Sequence, residues 1–146
     1  MGEEMVKGNW RSLVTGAAAA LAGVVIVSSP ASAAVNDNFA ASTTDGCGVA
    51  NYIDYGTWPD GSENDDYVVV HDYCADGHGV RAWAYRNGAE KTRYNGNGKA
   101  GAAVYWDPFG NVKAGDFVEL VVCLVDGSGD TSGSKCEYAS RTIADG

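Results

Sequence analysis

One loop in this sequence places oxygen-bearing side chains at the spacing of a cation site. Asp126, Ser128, Asp130, Ser132, Ser134 and Glu137 occupy the six ligand offsets of a twelve-residue calcium loop. The fit breaks at position six, where the sharp turn needs glycine and the chain has Thr131. Position eleven is Cys136, and both flanks read as strands rather than helices. The segment is therefore expected to be an exposed hairpin loop, with no metal assigned to it. A second acidic stretch, Asp60–Asp66, lacks the terminal bidentate acid and reads as solvated loop. His71 beside Asp72 is the other chemical pairing. Neighbours on a strand point to opposite faces, so the two do not form a ready general base. The chain has no Gly-x-Ser-x-Gly elbow and no His-Glu-x-x-His helix. No catalytic residue and no cofactor follow from the sequence, and a non-enzymatic role is expected.

Aromatic residues carry more. Trp58 stands in a polar loop beside Pro59, and Trp106 precedes Asp107, Pro108 and Phe109 near a strand end. Exposed rings of this kind stack on sugars or anchor protein interfaces. Trp83 alternates with alanines inside a strand pattern and reads as core or core cover.

The elements that must position these groups are short and extended. Val, Tyr and Trp crowd runs of a few residues broken by Gly, Asn and Asp, which is strand composition. Seven strands are predicted: Val49–Tyr55, Asp66–Cys74, Val80–Arg86, Ala89–Tyr94, Ala102–Asp107, Phe117–Val125 and Cys136–Ile143. Asn87-Gly88 is the strongest two-residue hairpin signal. On the second strand Val68 and Val70 share one face, and Tyr67, Val69 and His71 the other. Phe117–Val125 is apolar on both parities, as suits a central strand covered on both sides. The pattern predicts an all-β fold, a small antiparallel β-sandwich with Ig-like or Greek-key wiring, and a β-barrel is the alternative.

Cys47, Cys74, Cys123 and Cys136 make an even set with no close Cys-x-x-Cys spacing, which reads as two disulfides rather than a metal site. Pairing Cys47 with Cys74 sets Tyr55 opposite Asp66, and pairing Cys123 with Cys136 sets Asp116 opposite Ile143. Both bridges then lie where antiparallel neighbours meet. The rival is an inter-sheet Cys74–Cys123 bond packed under Trp83.

The amino-terminal residues say where such a fold works. Lys7 and Arg11 precede an apolar run from Leu13 to Val27, and Ala31-Ser32-Ala33 closes the segment. A basic head, a short apolar middle and a small-x-small ending form a secretory signal peptide over residues 1–33, cut after Ala33. The run of 15 residues is shorter than the ~20 of a membrane-spanning helix. The excised part carries two acids and two bases, so the net charge of −9 stays with the mature chain. Such a chain is repelled by nucleic acid and by anionic lipid. The acids are spread out and read as a solvated surface. The mature protein divides into an extended tail, residues 34–46, and a β-sandwich domain, residues 47–146.

The Ala-rich leader ending in Ala-Ser-Ala, the tail before Cys47, the four cysteines, GDFVELVVCLVDG and KCEYASRTIADG together resemble small exported proteins of filamentous actinobacteria. Within that group the chain is similar to the small adaptor subunit of umbrella toxin particles. The resemblance implies an extracellular adaptor that joins a repeat-bearing toxin subunit to a lectin-bearing subunit. It also implies an N-terminal extension seated in the partner's cleft. On that reading Val35, Asn36, Asn38 and Phe39 of the tail, with Trp58 on the sandwich surface, meet larger secreted partners. A carbohydrate-binding domain and a secreted hydrolase inhibitor are the alternatives.

Overall fold

A computed structural model describes residues 34–146. The predicted leader lies outside them. The described residues form eight strands and no helix: β1 Phe39–Ser42, β2 Gly48–Thr57, β3 Glu63–Asp72, β4 Gly79–Arg86, β5 Ala89–Asn95, β6 Val104–Trp106, β7 Phe117–Val125 and β8 Ser134–Thr142. They make two four-stranded sheets, in the orders β1-β2-β3-β6 and β5-β4-β7-β8, with every pairing antiparallel. The chain crosses between sheets after β3, β5 and β6, and β7 returns past β5 and β6 to lie beside β4. That return is the Greek-key wiring expected of an Ig-like sandwich.

The core follows from strand alternation. Ala50, Tyr52, Val68, Val70 and Trp106 face inward from the first sheet, and Val80, Ala82, Ala84, Val118, Leu120 and Val122 from the second. Val112 and Ile143 close the space between them. The sheets approach closely where side chains are small: a Cβ on Gly48 would come within 2.8 Å of Val80. The β4–β5 turn has positive φ at both Asn87 (49°) and Gly88 (88°). That is the turn whose twist matches a two-residue hairpin. β7 is covered on both faces only toward its end, at Cys123 and Val125; Phe117 at its start is exposed.

Three expectations need correction. Residues 34–46 are not a free extension, because Phe39–Ser42 pair with Tyr52–Val49 as an edge strand, raising the count to eight. The β2–β3 register differs by one, placing Tyr55 opposite Asp65, because Gly48 and Asp72 form the last pair and Cys74 lies beyond the strand. The acids are not all solvated: Asp37, Asp54, Asp66 and Asp72 are buried. The disulfides are Cys47–Cys74 and Cys123–Cys136. In the second pair, which falls at the irregularity in the β7–β8 register between Val122 and Leu124, the Cα atoms are 4.2 Å apart. The register opposite Ile143 is as expected, with the Ile143 N–H donating to the Asp116 carbonyl at 2.9 Å.

Candidate functional site

The N-terminal segment is fastened at nearly every residue expected to meet a partner. The Val35 N–H donates to Asp145 Oδ2 at 2.6 Å, although its side chain is exposed. Asn36 Oδ1 accepts from the Asn38 N–H at 2.9 Å, and the Asn36 carbonyl accepts from Arg141 at 3.4 Å. Asn38 Oδ1 accepts from the Asp54 N–H at 2.7 Å. The Phe39 ring lies 5.2 Å from that of Tyr52, against the protein's own core. The segment is thus a strap that completes the first sheet.

A cluster of carboxylates holds the strap. Asp37, at 4% exposure, accepts from the Ala144 N–H at 2.6 Å, and its own N–H donates to Asp54 Oδ2 at 2.9 Å. Burial pushes the Asp54 carboxyl above its ordinary value. Burial also raises Tyr52, whose hydroxyl donates to Asp66, and raises Asp66 itself. Among the described residues, Asp37, Asp54 and Asp145 bring carboxylate oxygens within 4.8 Å of one another, a spacing that could hold a cation. The Oδ2 atom of each accepts a backbone donor that ties the strap, while Asp145 Oδ1 is buried without a hydrogen-bond partner. Cys47, Cys74 and Asp76 share that spacing, but their sulfurs are joined to each other.

Both disulfides brace the opposite end of the sandwich, where the β3–β4, β5–β6 and β7–β8 loops line a recess of about 420 Å³. Arg81 orders this end. Its guanidinium is buried, donating to the carbonyls of Ser128 and Asp130 (3.0 Å for the latter), and lies over the Trp83 and Tyr94 rings at 5.8 and 5.7 Å. The loop tested above as a calcium site is therefore organised by a side-chain cation. Asp130 turns inward on its own loop, accepting from Ser132 Oγ at 2.6 Å and from the Asp126 N–H at 2.9 Å. Led by the Ser132 hydroxyl, these bonds hold its carboxyl at about 2. Asp126 pairs with His78 at 2.7 Å. Lys135 pairs with Asp45 at 2.8 Å and holds that carboxyl well below its usual range.

The outer faces carry the aromatic residues. On the first sheet Trp58 stacks on Tyr67 at 5.3 Å, and Tyr105 lies 6.0 Å from Trp58. His71 points outward and stacks on Tyr73 at 5.1 Å, while Asp72 is buried on the other face. On the second sheet Tyr138, Val121, Trp83 and Thr92 stand in one row across β8, β7, β4 and β5. Tyr138 is the most exposed large apolar residue among the described residues, at 69%, and Phe117 is exposed on the same sheet. Trp106 corrects the sequence reading, since it faces the core under Arg93 and offers no surface ring. Alternation in flanking sequence could have located Tyr105 and Tyr138. Nothing local in the sequence marks Arg81 as buried.

Comparison of the chain with protein-family models, curated proteins and solved structures finds no match. The fold and the bracing define a disulfide-locked Ig-like sandwich with two aromatic faces.

Proposed function

We propose that the mature domain is an extracellular, non-enzymatic adaptor that binds two larger secreted proteins at once. The observation that carries this reading is the placement of exposed aromatic side chains on both outer faces. Tyr105 lies on one sheet, with Tyr73 just past the end of its β3, and Phe117 and Tyr138 lie on the other. Large apolar residues in contiguous exposed patches mark interaction surfaces. Exposed rings on opposite sides of one rigid sandwich suit a bridging piece. Two disulfides fit an oxidising setting outside the cell.

The resemblance to adaptors of secreted antibacterial toxin particles supplies the identity of the partners: a repeat-bearing subunit on one face and a lectin-bearing subunit on the other. The strap modifies that reading. Phe39 belongs to the protein's own sheet, so partners meet the outer surface of the fastened segment, with Val35 its exposed apolar residue. The test is recovery of the native complex from culture supernatant, with Tyr105→Lys and Tyr138→Lys compared. Each variant is expected to lose one partner and keep the other. Recovery of an intact complex with both substitutions present would refute the two-faced reading.

A further inference from the structure

The carboxylates that hold the strap are short of positive charge. Asp37 precedes β1, Asp54 lies on β2 and Asp145 follows β8, so three distant parts of the chain bring their acids to one place. Asp37 and Asp54 are 4% and 2% exposed, and Asp145 is half-buried. Among the described residues one cation pairs with the three: Arg141, 3.5 Å from Asp37 Oδ1, with its side chain partly in water. A buried carboxylate without a matching charge is costly. Burial raises Asp54, and the charges of Asp145, Asp66 and Asp37 add to the effect.

Hydrogen bonds leave part of the cluster unused. Among the described residues the Asp37 N–H is the one donor to the Asp54 carboxylate, and it reaches Oδ2. The Val35 N–H and the Tyr55 hydroxyl both donate to Asp145 Oδ2, at 2.6 and 2.9 Å. Asp145 Oδ1 is buried and accepts nothing. A buried polar atom without a partner marks a place for a water or an ion. An ionised carboxylate has about four acceptor sites, so the groups that tie the strap can face a cation as well.

The donor set selects the ion. All three ligands are carboxylates, with no sulfur or imidazole among them, which suits a hard cation. Their oxygens lie within 4.8 Å of one another. Ligands on opposite sides of a calcium ion, at ~2.4 Å each, stand about 5 Å apart. Calcium also takes a carboxylate by both oxygens in irregular geometry, whereas magnesium holds to an octahedron and keeps several waters. We propose that Asp37, Asp54 and Asp145 bind one calcium ion, which ties the N-terminal strap and the C-terminal segment to β2. The ion's charge takes over from Arg141, whose side chain is free to turn to water.

The test uses the mature protein with both disulfides intact. Its melting temperature is compared in EDTA and in calcium chloride at about 10 mM, above the ~0.1–1 mM dissociation constants of extracellular calcium modules. Calcium is expected to raise it by about 5 °C and to slow amide exchange over residues 35–42. Terbium, a calcium substitute, should give tyrosine-sensitised emission that calcium competes away. Asp54→Asn and Asp145→Asn keep acceptors for the strap's N–H groups, so both should fold, and each should weaken calcium roughly tenfold. Asp126→Asn/Asp130→Asn, in the β7–β8 loop, should leave the response unchanged. No calcium response would overturn the proposal. So would an equal rise in sodium chloride of the same ionic strength, which is screening of the net charge of −9. A response that survives Asp54→Asn and Asp145→Asn, or is lost with Asp126→Asn/Asp130→Asn, would overturn it too. Calcium is titrated with no partner present, so this proposal and the adaptor reading can fail separately.

Discussion

Removing the disulfides should cost this domain most of its stability, and the two bridges should not contribute equally. Cys47–Cys74 spans 27 residues and Cys123–Cys136 spans 13. Loop-closure entropy then gives about 3.6 and about 2.9 kcal/mol respectively at 25 °C. A domain of this size is stable by roughly 6–15 kcal/mol in all. Losing both bridges therefore consumes a large share of the total. At about 4 °C per kcal/mol, Cys123→Ala/Cys136→Ala should lower the melting temperature by about 12 °C and Cys47→Ala/Cys74→Ala by about 14 °C. Full reduction should leave the chain largely unfolded at 37 °C. Thermal unfolding followed by near-ultraviolet circular dichroism, with and without reductant, reads all three. The longer loop should matter at least as much as the shorter one, since closing 27 residues removes more freedom from the unfolded chain than closing 13. A reduced protein with an unchanged spectrum at 37 °C would refute the reasoning. It would also detach the fold from an oxidising compartment.

Other outcomes follow from single side chains. Arg81→Met leaves the Ser128 and Asp130 carbonyls without their donor and should cost about 2–4 kcal/mol, with faster amide exchange across residues 127–133; exchange at the wild-type rate would count against Arg81 as the organiser. Burial raises Asp54 in the folded state, so its contribution disfavours folding above its folded value and fades as pH falls below it. Asp54→Asn, which keeps an acceptor for the Asp37 N–H, should accordingly stabilise the protein at neutral pH and lose that advantage below about pH 4, as melting curves across pH would show. Asp130 shifts the opposite way, and its contribution is lost as pH falls toward about 2. Leu120→Ala, at a fully buried site, should cost about 2–5 kcal/mol in denaturant melts.

Strands with a clear apolar run or a strong turn signal beside them were legible in the sequence. β7 begins and ends where its apolar run does, and Asn87-Gly88 turns as its residues require. The cysteine pairing could be read because each pair sits near the ends of adjacent strands. β1 could not, because Phe-Ala-Ala-Ser has no period of its own and pairs only when Asp37 and its partners hold the strap. The inward face of Trp106 was equally hidden. β6 has three residues, too few to fix a parity without knowing its pairing to β3. The buried acids failed for a related reason: a carboxylate that accepts distant backbone N–H groups looks, in sequence, like one in water.

The open borders of the second sheet limit how this protein can assemble. β5 carries Glu90, Lys91 and Arg93, and β8 carries Lys135, Glu137 and Arg141, nearly all exposed. Charged side chains spaced along a bordering strand discourage a second chain from adding to it. Growth of this second sheet from molecule to molecule, and the fibres that such growth produces, is thereby disfavoured. At high concentration the purified protein should remain monodisperse by light scattering, and any complex it enters should have a fixed number of subunits.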